Sequence, residues 1–112
     1  MKKIEAIIRP AKVSDVCEAL DKVGHPGLMI TEIEGHGAQK GQTKILRGKT
    51  YNVEFMTKTK IDIVVTDEDV GKIVQAIRAA AFTGEMGDGK IFVSTIDDAV
   101  RIRTDERGNA AV

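Results

Sequence analysis

The chain has 112 residues, enough for one domain with a modest core. Its 17 basic and 17 acidic side chains cancel, which removes the electrostatic footprint of a nucleic-acid binder. No apolar run approaches the roughly 18 residues of a membrane helix, so no direct membrane insertion is expected. Glu5 and Arg9 interrupt the apolar stretch of MKKIEAIIRP, which therefore does not read as a signal peptide. Cys17 is the only cysteine and cannot form an internal disulfide, so the expected location is a reducing cytoplasm.

Lys3-Ile4-Glu5-Ala6-Ile7-Ile8 reads as a strand whose second half is apolar on both faces. Pro10 closes it, because proline lacks the ladder donor and biases its predecessor to extended geometry. From Ala11 to Val23 the apolar residues Val13, Val16, Cys17, Leu20 and Val23 fall at helical spacing. Gly24 ends that helix, and His25-Pro26-Gly27 turns the chain into a strand over Leu28 to Ile33. Next comes the stretch Gly35 to Lys58, rich in Lys, Gln, Thr and Asn and holding the only tyrosine, Tyr51. A loop of about twenty residues inside a compact domain is usually functional.

The pattern then returns. Lys60-Ile61-Asp62-Ile63-Val64-Val65 echoes the first strand 57 positions later, and Val70, Ile73, Val74 and Ile77 echo Val13, Val16, Cys17 and Leu20. Gly84 follows Gly27 at the same offset, and Ile91-Phe92-Val93-Ser94 takes the part of Leu28 to Ile33. Two βαβ halves predict an α+β, ferredoxin-like split sheet, four antiparallel strands with two helices on one face. Ile7-Ile8 and Val64-Val65 then imply that the other face is also covered, by further subunits.

Thr83-Gly84-Glu85-Met86-Gly87-Asp88-Gly89-Lys90 is the strongest local signal. Three glycines let backbone approach an anion, and a lysine follows to meet its charge. The string contains the G-x-x-x-x-G-K core of a Walker A loop, but Ile91 stands where Ser or Thr would hold Mg²⁺, and helix precedes strand instead of following it. A plain glycine turn accounts for it equally well. Arg101-Ile102-Arg103, if extended, would send both guanidiniums to one face while Ile102 packs on the other. Paired arginines suit phosphate through their forked donors, though a solvated edge pair is the alternative. Catalytic sets are absent: His25 and His36 sit in glycine turns away from any Cys/His cluster, and Cys17 lies on an apolar helix stripe.

With these pieces in order, the chain resembles the PII nitrogen-regulatory signalling proteins over its whole length. The motifs are KKIEAIIRP, Gly35-His36-Gly37 with Gln39-Lys40-Gly41, Arg47-Gly48, Tyr51, Thr83-Gly84, Gly87 to Phe92 and Arg101-Ile102-Arg103-Thr104. The resemblance implies one domain over residues 1–112, with a T-loop at about 37–55, a glycine-rich B-loop at about 83–90 and a C-terminal segment at about 101–112. It implies a homotrimer with ATP or ADP in clefts between subunits. Gly35, Gly37, Gln39, Val64, Gly87, Asp88, Gly89, Lys90, Arg101 and Arg103 would hold the nucleotide. Gln39, Lys40, Gly41, Lys58 and Gly87 would receive 2-oxoglutarate, with Gln39 on an Mg²⁺ shared by ATP and 2-oxoglutarate. Tyr51 matches a modification site. The T-loop would dock on an ammonium transporter or another nitrogen-assimilation target, and no nucleic acid is expected. The sequence departs from the family pattern at Ala38 (usually arginine), Met29 (often a hydroxyl residue), His36 (usually aromatic) and Leu46 (often tyrosine). The alternatives are an adenylate-only sensor of this family, a nucleotide-using enzyme on the same fold, or an RNA-binding module of similar shape. The last is disfavoured by the scarcity of aromatics on the strands.

Overall fold

The repeat is carried into three dimensions almost turn for turn. The computed structural model describes every residue except Pro26, Arg47 and Gly48, and gives residues 35–55 by backbone alone. β1 (Lys2–Ile8) leads through a 3₁₀ turn at Pro10–Lys12 into α1 (Val13–Lys22). β2 (Met29–Leu46) and β3 (Lys49–Val65) follow, then a 3₁₀ turn at Asp67–Asp69, α2 (Val70–Ala81) and β4 (Lys90–Thr95). The second turn and the start of the second helix repeat the first pair at the offset of 57 positions seen in the sequence. The sheet order is β2-β3-β1-β4, with every neighbouring pair antiparallel. This is the ferredoxin-like arrangement.

Both helices pack on one face. Alternation along β1 turns Ile4, Ala6 and Ile8 inward, and β3 answers with Ile61, Ile63 and Val65. Val16 and Leu20 of α1 and Ile73 and Ile77 of α2 close the core from above. All four are fully buried. Ile77→Ala is expected to cost about 2–5 kcal/mol through the cavity it leaves, read as a lower urea midpoint with unchanged slope; a neutral result would take α2 out of the core.

The opposite face of the sheet is open. Ile7 and Val64 stand on it half-buried, Met29 and Phe92 are exposed, and Lys3, Glu5, Lys60 and Asp62 lie between them. The double apolar pairs therefore divide as expected, Ile8 and Val65 to the core and Ile7 and Val64 to the open face.

Two expectations differ from what is found. The stretch expected as a long loop is drawn as the far part of a hairpin, with β2 and β3 paired out to Leu46 and Lys49 and a register shift between Gly37 and Gln42. Thr50-Tyr51-Asn52-Val53-Glu54-Phe55 alternates polar and strand-favouring residues, and that pattern carries the ladder outward. The repeat also loosens at its last glycine. Gly84 adopts φ +87°, whereas Gly27 is not among the positive-φ glycines, so the two turns are built differently.

Candidate functional site

The glycine string after α2 forms a braced loop at one end of the sheet. Asp88 is its hub. Its carboxylate accepts from the backbone N–H of Thr83 at 2.8 Å and of Gly84 at 2.9 Å, and from the Thr83 hydroxyl. Arg9 reaches in from the end of β1, donating Nε to Asp88 Oδ1 at 3.1 Å and Nη2 to the Met86 carbonyl at 2.7 Å. Lys58 donates to the Gly87 carbonyl. The hydrogen bonds from Thr83, with those from Gly84 and Arg9, hold the Asp88 carboxyl well below the usual carboxylate range. A carboxyl depressed in the folded state contributes stability that is complete above its unfolded value near 3.8 and is lost as pH falls below it. Asp88→Asn should therefore flatten the acid limb of the stability curve below about pH 4 while costing loop order at neutral pH; an unchanged acid limb would show that the carboxylate does not brace the loop.

Gly89 is where the loop joins the sheet. Its φ is +96°, and a Cβ there would lie 1.7 Å from the Ile7 carbonyl oxygen. Only glycine lets the chain pass this close to β1. Lys90 then opens β4 opposite Ile7, with its side chain exposed. Lys58 is only 9% exposed. Burial and the nearby Arg9 guanidinium lower its pKa, against a smaller opposing pull from Asp88. The result is a group of three cations, Arg9, Lys58 and Lys90, around a glycine backbone whose Met86 and Gly87 carbonyls are tied inward. Behind the loop, a cleft of about 360 Å³ opens between β1, α2 and β4. Val74, Ile77, Phe82 and Ile91 line it together with Arg78, Asp88 and Lys90, so a mostly apolar wall meets charged side chains there.

Arg101 and Arg103 follow beyond the far end of β4. β1 and β4 are antiparallel, with Lys90 opposite Ile7 and Thr95 opposite Lys2, so the chain leaves β4 roughly 17 Å of strand away from the glycine loop. There Ile96 N–H donates to the Met1 carbonyl. Val64, paired with Lys3, belongs to this second end. Residues 101–104 form a turn, not an extended run: Asp105 N–H donates to the Arg101 carbonyl at 2.8 Å and Arg101 N–H to the Glu106 carbonyl at 2.9 Å. Arg101 also pairs with the Glu106 carboxylate at 2.7 Å. Ile102, expected to pack, is fully exposed. The two-apart rule fails because Thr104 to Gly108 is a turn sequence that closes on itself, with Glu106 as its anchor. Among the described residues Arg103 has no hydrogen bond.

The expected site residues thus fall into two groups within one chain. Gly87, Asp88, Gly89, Lys90 and Lys58 come together, and the backbone of Gly35 and Gly37, opposite Met56 and Glu54, continues from the Lys58 end of the hairpin. Val64 lies toward the other end, where the chain leaves β4 on its way to Arg101 and Arg103. The side chains of Gln39, Lys40 and Tyr51, with Gly41, lie outside the described residues. Arg9 was missed as a site residue from sequence, where it read as a break in an apolar run and as part of KKIEAIIRP. Its signal is parity: it follows Ile7 by two positions on the open-face side of β1, just before Pro10.

A profile of the family described as "Nitrogen regulatory protein P-II" matches residues 1–106. The chain belongs to the P-II family. Over its whole length and theirs it is 51% identical to "Nitrogen regulatory protein P-II" of Rhizobium meliloti (strain 1021) and 54% identical to that of Bradyrhizobium diazoefficiens. It shares 51% identity with "Nitrogen regulatory protein P-II 2" of Methanothermobacter thermautotrophicus, covering all of this chain and 97% of that one. Among solved structures, Arabidopsis thaliana PII bound to citrate superposes with a TM-score of 0.80 at 37% identity, over 99% of this chain and 91% of the other. The P-II fold and the nitrogen-regulatory character of the family agree with the reading from sequence. Among the described residues no cluster of His, Cys, Asp and Glu could hold a metal ion, and no helix is long and apolar enough to cross a membrane.

Proposed function

We propose that this P-II chain is a non-enzymatic allosteric sensor of ATP and ADP, with 2-oxoglutarate as a second effector. It regulates nitrogen assimilation in the cytoplasm by docking its β2–β3 hairpin, the T-loop of the family, onto an ammonium transporter or another target. The observation that carries this reading is the braced glycine loop. Arg9 and Lys58 hold the Met86 and Gly87 carbonyls inward, so an anion at the loop meets glycine backbone and Lys90, not repelling oxygens.

The exit of the chain from β4 at the end away from the glycine loop, ahead of Arg101 and Arg103, supports a homotrimer. Lys90 of one copy and Arg101 and Arg103 of its neighbour would converge on the phosphates, and the open sheet face offers the surface on which copies pack. Mg²⁺ accompanies ATP and 2-oxoglutarate. As a hard cation it takes oxygen ligands, chiefly those of the two effectors, with Gln39 as the chain's contribution. Lys58 provides the counter-charge for a carboxylate: its burial beside Arg9 disfavours an unanswered ammonium, and a bound carboxylate relieves that. The Arabidopsis relative is described as bound to citrate, another small polycarboxylate. Tyr51 is the candidate modification site on the hairpin.

The test is calorimetry of ATP and ADP with and without Mg²⁺ and 2-oxoglutarate. ATP binding that tightens at least tenfold with 2-oxoglutarate corresponds to about 1.4 kcal/mol of coupling and supports the sensor. Nucleotide binding indifferent to 2-oxoglutarate converts the reading to an adenylate-only sensor. Absence of any nucleotide binding removes it.

A further inference from the structure

The arginine turn carries its own anion. Arg101 Nη1 donates to Glu106 Oε1 at 2.7 Å, and Nη2 donates to the Ala110 carbonyl at 3.3 Å. Both terminal nitrogens of the guanidinium are thus engaged inside the turn. The backbone holds Glu106 in this place. Arg101 N–H donates to the Glu106 carbonyl at 2.9 Å, and Asp105 takes a left-handed φ of 58° that folds the chain back. The Thr104 hydroxyl donates to the same carboxylate oxygen at 2.7 Å. That bond and the Arg101 charge hold the Glu106 carboxyl below the usual carboxylate range, so it is ionised at neutral pH.

A phosphate arriving at Arg101 therefore exchanges one anion for another. The Glu106 carboxylate is tethered only five positions away and is present at high local concentration. A lone carboxylate from solution gains nothing by the exchange. A polyphosphate does gain, because its further oxygens reach other cations at the same time. The side chains of Arg101 and Glu106 are 41% and 42% exposed, so water screens their attraction and the competition is modest and reversible.

We infer that Glu106 sets the affinity of the nucleotide site as an internal competitor, occupying the Arg101 guanidinium until ligand phosphates displace it. The inference rests on the nucleotide reading proposed above and adds the residue that opposes binding there. Its test is titration calorimetry of the full chain with ATP, as wild type, Glu106→Gln, Arg101→Ala and the double variant. Glu106→Gln keeps the side-chain shape and an acceptor oxygen while removing the charge. It is expected to tighten ATP about fivefold, the upper end of what one exposed ion pair contributes. The gain is expected to vanish in the Arg101→Ala background, where no guanidinium remains to compete for. Thr104→Val, which frees the carboxylate from its hydroxyl donor, is expected to shift affinity the same way and serves if Glu106→Gln melts below wild type. A wild-type chain that binds no ATP removes the nucleotide reading and the inference together. A wild-type chain that binds ATP, with affinity unchanged or weakened in the folded variant, overturns the inference alone. An equal gain with and without Arg101 also overturns it, since that marks a general charge effect.

Discussion

Replacing Lys90 with alanine is expected to weaken ATP and ADP binding by a factor of about ten to a hundred, and Arg103→Ala to do the same. On the proposed function each cation would make charge-assisted hydrogen bonds to phosphate, worth about 1.5–3 kcal/mol apiece. Lys90 is exposed at the foot of the glycine loop, and Arg103 has no hydrogen bond among the described residues, so neither substitution removes a contact seen within the chain. Arg101 is the poorer probe. Its guanidinium holds Glu106 and the Ala110 carbonyl, and Arg101→Ala would loosen the turn as well as the ligand. Titration calorimetry with unchanged thermal stability is the measurement. Affinity equal to wild type in both variants would remove these residues from the site.

Gly89→Ala is expected to damage the loop itself. Two costs combine: a non-glycine residue at φ +96°, and a Cβ driven onto the Ile7 carbonyl oxygen of β1. Left-handed backbone costs about 1–2 kcal/mol and overpacking about 1–3 kcal/mol, so a loss of about 2–5 kcal/mol is expected. That is a large share of the 5–15 kcal/mol that holds a domain together. β4 begins one residue later, so the strain is delivered to the β1–β4 ladder. Denaturation should report a lowered midpoint, and amide exchange should speed up first along Lys90 to Thr95. Wild-type stability would mean that the loop shifts away from β1 freely, and that the brace formed by Arg9, Asp88 and Thr83 does not fix its position.

The fold was legible because it is written twice. Lys3 to Ile8 and Lys60 to Val65 share a pattern, the helices repeat in step, and even the 3₁₀ turns at Pro10–Lys12 and Asp67–Asp69 recur. Periodicity captures such local preferences well, since buried residues must recur with the period of their element. The outward run of the hairpin was not legible, because polar residues among the glycines masked an alternation visible only from Thr50 to Phe55. The Arg101 to Thr104 turn was misread for a related reason. Two arginines flanking isoleucine suit a strand, and only the later Glu106 reveals that the segment folds back on itself.

The candidate site was legible as a set of residues but not as a place. Lys90, Arg101 and Arg103 are drawn together by their chemistry, yet strand direction takes the chain to the far end of the sheet from Lys90 before it reaches the arginines. Arg9, which braces the loop, stands in the KKIEAIIRP motif with no sign of that role; its part comes from the end of β1 lying beside Gly87 and Asp88. Such couplings depend on which strand ends are neighbours, and the one-dimensional pattern does not carry that information.

The most direct test of the central claim is complementation between two defective chains. Lys90→Ala and Arg103→Ala proteins, each impaired in nucleotide binding, are unfolded, mixed and refolded together, then titrated with ATP. If the phosphate site joins the glycine loop of one copy to the arginine turn of another, some clefts in the mixture pair an intact Lys90 with an intact Arg103, and tight binding returns at a fraction of the sites. If each site is built within a single chain, the co-refolded mixture binds no better than its two components, and the account of a site shared between copies is contradicted.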